Sequence, residues 1–457
     1  MNSPMDWKAR WLPAWALSLA AVGLSGALQL SDGTLHPIAI KVLVASLVLG
    51  LLAASSFNAK VIERAGQWPA VVIFAGGAAL FYWLHQQRPP GIYVAMTEEV
   101  VAAHRRWLYA GAGLVAAALI QKPWARALHL AALVAFFFAE GALIIRGSPH
   151  PHIDVFIWHE AGFNALKEGL SPYALSIPNI YGTTAWYAPG FADLTSVNVG
   201  YPYPPLSLLL AWPGHLAAGD YRWTHLVALA GVAAFIVYTR PGRLSSMAAT
   251  LFLFGPRTLF VLEQGWTEAT ALFMFALTLF VAARFPKALP YVFGALLATK
   301  QYFVLLVPLV PFLLDSPRTV RQTVVFLTKA GVVTALLIFP IALIDFGAFW
   351  KSVVVLQGVQ PFRNESLSIM AWTVRDGVPV VPMWASFAGL GAVLAFAWWR
   401  TPRTLTGFAL ASSFAFLVFF AFAKQAFTNY YFQVVGMMLM AVALTREEAS
   451  QTSAPPV

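Results

Sequence analysis

The chain has 457 residues, 59% of them hydrophobic and 11% charged, with a mean hydropathy of +0.70. Soluble domains carry about 25% charged residues, so the composition excludes a soluble globular protein and points to an all-α polytopic membrane protein. The formal charge of +10 does not indicate a nucleic-acid partner, because basic residues on cytoplasmic loops give such a balance by themselves. With no cysteine in the chain, disulfide and thiol chemistry are excluded.

In chain order, Lys8 and Arg10 precede an apolar run, Trp11–Leu30, which reads as a retained signal-anchor. Further spans are expected at Pro37–Phe57, Trp68–Leu84, Trp107–Gln121 and Ala127–Ile145. A cytoplasmic N-terminus puts Lys60/Arg64 and Lys122/Arg126 inside, as the positive-inside rule asks, and Arg105 and Arg106 outside, against it. Residues 1–126 read as accessory helices, 127–445 as the membrane domain that carries the chemistry, and 446–457 as a disordered cytoplasmic tail.

The fifth span delivers the longest polar interval, the outer loop 147–203. Val155–Leu170 reads as an amphipathic helix, with Phe156, Phe163 and Leu166 on one face and His159, Glu160 and Lys167 elsewhere. Gly169 and Ser171-Pro172 stop it. The Tyr and Trp residues between Tyr173 and Tyr203 suit the headgroup level of a membrane.

Leu206–Ala218 is short and holds Pro213, so it is expected to be re-entrant. That choice puts Arg240/Arg243, Arg284/Lys287, Arg318/Arg321, Arg400/Arg403 and Arg446 inside. The later spans are Trp223–Tyr238, Leu244–Leu262, Thr267–Ala283, Gln322–Ile344, Val380–Trp399, Thr404–Ala423 and Thr428–Leu444. Leu289–Leu314 has Lys300 at its middle, where a lysine in lipid costs at least ~2.5 kcal/mol. It is therefore expected as two half-helices with Lys300-Gln301 at an outer apex. The expected total is about 12 transmembrane helices, each needing about 20 residues, plus the re-entrant segments.

On this topology the polar residues collect at one face: His152, Asp154, His159, Glu160, Tyr203, Glu263, Glu268, Lys300, Gln301, Asn364 and Asn429. His150, His152 and Asp154 alternate in an irregular, Pro-rich segment, a spacing that carries little metal-binding information, and no metal or other cofactor is expected.

The run from Asp154 to Tyr173, with Ala161-Gly162 in its helix and Gly169-Leu-Ser-Pro-Tyr173 at its end, resembles the signature of the GT-C glycosyltransferases. Tyr201-Pro-Tyr-Pro-Pro-Leu206 is similar to that family's lead-in to the next membrane segment. Glu263-Gln-Gly-Trp-Thr-Glu268, Ala298-Thr-Lys-Gln301 and Asn364-Glu-Ser-Leu367 resemble later elements more loosely, and Trp266 stands where a Gln would follow the Gly. The resemblance spans about Ala127 to Leu444 and is nearest to glycosyltransferase family 87, the polyprenyl-phosphate-mannose-dependent mannosyltransferases. It implies a multi-pass inner-membrane enzyme that moves a hexose, mannose by this likeness, from a polyprenyl-phosphate sugar to a lipid or glycan acceptor on the extracytoplasmic face.

The resemblance assigns Asp154 as general base, with Glu160 the alternative, where an N-cap is the plain structural role. Lys300 is the candidate phosphate ligand, against a snorkelling or ion-paired lysine. Glu263 and Glu268 are candidates to orient the sugar, or to pair with Arg257. Gln301, Tyr203, His152, His159, Asn364 and Asn429 are further donor contacts. A transporter or lipid flippase is the alternative function, but it would show repeats and charges at mid-membrane, whereas these lie at one face.

Overall fold

A computed structural model describes residues 14–55, 68–87, 90–120, 122–379 and 384–445. The tail from Glu447, the basic residues Lys8, Arg10, Lys60, Arg64 and Arg446, and the start of the span expected at Val380 lie outside the described residues. The chain is an all-α membrane protein, and among the described residues the strands are confined to one two-residue pairing. Among the described residues six helices are long and apolar enough to cross a membrane, or up to seven if one bent pair forms a single span.

The six are α1 (Ala14–Ser31), α2 (Pro37–Ser55), α3 (Trp68–Gln87), α5 (Pro123–Gly147), α8 (Arg222–Thr239) and α13 (Val320–Ala342). The helix before α5, α4 (Glu98–Ala117), starts nine residues earlier than the expected span at Trp107. Thr97 accepts a hydrogen bond from the Val100 amide, and Glu98 and Glu99 occupy the first turn, a favourable start for a helix dipole.

The stretch expected as one span at 244–262 is broken: α9 (Arg243–Phe254) and α10 (Thr258–Gln264) meet at 49°. Pro256 follows Gly255 at the break and has no amide hydrogen to continue the ladder. Gly265 ends α10 at φ +64°, and a Cβ there would collide with the Tyr221 hydroxyl, so this turn requires glycine. After α11 (Glu268–Arg284), the expected pair of half-segments is present as α12 (Leu289–Leu297) and a 3₁₀ helix, Gln301–Phe312. Lys300 between them is extended, and Pro308 and Pro311 deny the second half a regular α-helical ladder.

The loops meet at two ends of the bundle. At one end Leu35 N–H donates to the Glu365 carbonyl, Leu367 N–H to Gly33, Tyr93 to the His152 carbonyl and Gln301 to the Pro202 carbonyl. At the other, Arg284 donates to the Tyr238 carbonyl and Arg318 to that of Arg403, while Arg240 and Thr406 share the Leu444 carbonyl. These are the two sets of loops that the charge pattern separates. The 14-residue helix α7 (Pro205–Ala218) leaves and rejoins the outer loop: Tyr201 before it and Tyr221 after it both contact His159. It therefore does not cross the bundle.

A single buried apolar cluster includes Leu24, Phe74 and Phe137 together with Leu272, Phe408 and Met438. The boundary near residue 126 is no break in packing; α1 lies directly against α2 and the last helix, α18 (Thr428–Ala443). The outer loop has a second core of its own, with Trp158, Phe163, Tyr173, Val197 and Tyr201 packed against Phe349 and Leu356. Those two belong to α14 (Phe346–Val359), which lies in an interval where no element is expected from the sequence. The remaining helices are α15 (Ile369–Arg375), α16 (Trp384–Arg400) and α17 (Leu405–Ala421).

Candidate active site

The site is organised by α6 (Asp154–Lys167), the amphipathic helix of the outer loop. Ile153 takes the capping position and Asp154 is the first helical residue, without the usual capping bond to an amide two or three residues on. One Asp154 oxygen, Oδ1, accepts the Val155 amide at 2.8 Å and the other, Oδ2, accepts the Tyr187 hydroxyl at 3.3 Å. The Tyr181 hydroxyl receives the Asp154 amide at 3.2 Å. Asp154 is closely surrounded by protein yet remains partly accessible.

Burial pushes the Asp154 carboxyl up to about 6, against the pull of the Val155 amide, Tyr187 and the Arg363 guanidinium. Arg363 also acts electrostatically on Tyr187, and its guanidinium lies over the rings of Trp186 and Phe427, 4.8 and 5.1 Å from their centroids. It is paired with Glu365 and is partly accessible. Sequence reasoning passed over Arg363, Tyr181 and Tyr187. Arg363 precedes the Asn364-Glu-Ser string directly, and the two tyrosines belong to the band whose composition suits a membrane anchor.

That aromatic band is corrected by the fold. Tyr173, Tyr187 and Tyr201 are buried, because their hydroxyls have partners inside the loop. Tyr173 donates to the Tyr203 carbonyl at 3.1 Å, and Tyr201 lies 3.0 Å from His159 Nε2 and 2.8 Å from Ser207. His159, expected off the apolar face, is fully buried and stacks on Tyr221 at 4.3 Å. Burial holds its imidazole down at about 3, so it is neutral and supports the helix.

Lys300, Glu268, Asn429 and Tyr203 do converge. The Lys300 ammonium pairs with Glu268 Oε1, donates to Thr267 Oγ1 at 2.7 Å and lies 4.8 Å from the Tyr203 ring centroid. Asn429 donates to the same Glu268 oxygen at 3.0 Å. Glu268 Oε2 is buried and receives no hydrogen bond from the described residues. This cluster and Asp154 both act electrostatically on Tyr203.

Other expected ligands are held elsewhere. Glu263 accepts the amides of Ile92, Tyr93 and Val94 at 2.8, 2.9 and 2.7 Å, so its carboxylate anchors the loop between α3 and α4. Gly91 is required beside it, since a Cβ would collide with that carboxylate. Arg257, the other partner considered for Glu263, pairs with Asp32. Gln301 donates to the carbonyls of Pro202 and Val353 at 2.6 and 3.2 Å. Glu160 faces His215, at 3.2 Å, and His215 also contacts Lys167 at 2.7 Å. Burial raises the Glu160 carboxyl while His215 opposes the shift.

No protein-family model, curated protein or solved structure matches this chain. The geometry therefore carries the functional reading.

His152 is exposed, its ring 5.7 Å from that of Tyr181. Asn364 is exposed on the loop beside Arg363. Among the described residues no three His, Cys, Asp or Glu side chains gather as metal ligands, so His150, His152 and Asp154 do not converge. The whole site is braced by Arg222, which is fully buried and donates to Ser148, Asp220 and the Glu263 carbonyl, tying the end of α5 to α8 and α10.

Proposed function

We propose that this chain is a membrane glycosyltransferase of the GT-C type that transfers a hexose, mannose by its family resemblance, from a polyprenyl-phosphate sugar to a hydroxyl of a lipid or glycan acceptor. Asp154 is the general base. The observation that carries this reading is the Asp154 carboxyl itself: partly accessible, raised by burial to about 6, and under the electrostatic influence of Arg363. A base poised near the working pH is ionised and still basic enough to take a hydroxyl proton.

In this reaction the acceptor O–H gives its proton to Asp154 as the acceptor oxygen bonds to the anomeric carbon. The bond from that carbon to the phosphate oxygen breaks, and polyprenyl phosphate leaves with the electron pair. Arg363, partly accessible and planar, meets the charge developing on the phosphate. Lys300, beside the Tyr203 ring, holds Glu268 in place through their ion pair, and the unpartnered Glu268 Oε2 accepts a sugar hydroxyl. The site faces the extracytoplasmic side of the inner membrane, so the sugar arrives on a lipid carrier.

A transporter or flippase would place its ionisable groups in a central passage with access from both sides. Asp154 instead begins the helix of an outer loop that has a core of its own. Incubating the purified protein with polyprenyl-phosphate mannose, polyprenyl-phosphate glucose and detergent-solubilised lipid acceptors, with mass spectrometry of the products, tests the reading. A glycosylated acceptor and free polyprenyl phosphate in equal amounts are expected. Donor movement across liposomes without any product would replace it by the flippase reading.

A further inference from the structure

At the end of the bundle opposite Asp154, an open groove of ≈ 860 Å³ lies between the start of α12 and the start of α13. It carries three cations, Lys287, Arg321 and Lys329, and no acidic residue lines it. None of the three takes part in an ion pair among the described residues. Tyr291, Val325 and Phe326 supply an apolar wall, and the Lys329 ammonium lies 6.0 Å from the Tyr291 ring centroid.

The setting of these cations is a lipid one. The α13 helix is strongly apolar, and of its residues only Phe326, Ala330 and Ala342 are buried inside the protein. Val324, Val332 and Leu336 on it are exposed, as lipid-facing residues would be. Lys329 lies nine residues past Val320, about 13 Å along a helix axis, where an ammonium without a counter-ion is costly. A soluble anion would satisfy the charge but leave the flanking apolar surface unused. Basic grooves between helices at a membrane boundary are suited to phospholipid headgroups.

We propose that this groove binds the phosphate of an anionic glycerophospholipid between Lys287, Arg321 and Lys329, with the acyl chains lying along α13. The site is separate from the glycosyl-transfer site and stands whether or not that reading holds.

The test measures binding of phosphatidylglycerol and of phosphatidylcholine with the same acyl chains to the full-length protein in detergent, by native mass spectrometry and thermal unfolding. Phosphatidylglycerol should bind about tenfold more tightly and raise the unfolding temperature. The K287Q/R321Q/K329Q variant should lose that preference, whereas Arg375→Gln, which removes an exposed charge elsewhere, should keep it. If the triple variant does not fold, Lys329→Gln alone should retain measurably fewer phosphatidylglycerol adducts. Equal binding of the two lipids would overturn the proposal, as would an unchanged preference in the Gln variants or its equal loss in Arg375→Gln. So would the same stabilisation by inorganic phosphate at equal concentration, which would mark a free-anion site.

Discussion

Tyr187 donates its hydroxyl to Oδ2 of Asp154 across 33 residues of sequence, at 3.3 Å. The bond favours the ionised carboxyl and opposes the burial that raises it to about 6. Rate should therefore rise with pH through about 6, since the base acts as the carboxylate. Tyr187→Phe removes one stabilising bond, so the acid limb of the pH–rate profile should move to higher pH. An unmoved limb would separate Tyr187 from the base.

The Lys300–Glu268 pair is buried on both sides. Replacing Lys300 by Met strands the Glu268 charge, and breaking such a pair costs about 3–5 kcal/mol. The K300M/E268Q double variant should recover most of that stability, because no buried charge is left. Thermal unfolding of the single and double variants checks this; a fully stable Lys300→Met protein would contradict it.

Both Glu263 oxygens accept hydrogen bonds, from three backbone amides and from Gln264 Nε2. Glu263→Gln puts an amide donor against an amide donor, so stability should fall by about 1–3 kcal/mol. Hydrogen exchange at Ile92, Tyr93 and Val94 should quicken at the same time. Unchanged exchange there would place the loop's support elsewhere.

How much of this was legible beforehand depended on whether the signal was local. The break at Lys300 followed from a charge inside an apolar run, and the outer-loop helix followed from its periodicity and its Gly169 and Ser171-Pro172 stop. The partners of Glu263 and Glu268 did not follow, though the two acids stand five residues apart in one polar string. One meets amides 169–171 residues away and the other meets Lys300, 32 residues on. The kink at Gly255-Pro256 and the turn at Gly265 lie before and between the two acids, and the partners come from segments distant in sequence. Arg363 and Tyr187 were missed for the same reason.

Because the loops sort to two ends of the bundle, cysteines placed in this cysteine-free chain report sidedness. Leu194 and Asn364 are exposed at the Asp154 end and Ser316 is exposed at the other. In intact cells an impermeant thiol reagent should label Leu194→Cys and Asn364→Cys but not Ser316→Cys. Labelling of Ser316→Cys with either of the others would break the topology.

The central claim rests on Asp154, and Asp154→Asn tests it in one preparation. An acid whose folded value is raised above its ordinary 3.8 costs no stability below that pH, where it is protonated in both states. The cost develops as pH rises from about 3.8 to about 6 and is constant above. At pH 7 the Asn variant should therefore be more stable than the parent by about 1–3 kcal/mol, with no difference at pH 3.5. Transfer of sugar from the polyprenyl-phosphate donor, measured side by side at pH 7, should fall about 10²–10⁴-fold in the same variant. A variant that is better folded and yet inactive is the result this account predicts; an Asn variant that transfers sugar at the parent rate would contradict it.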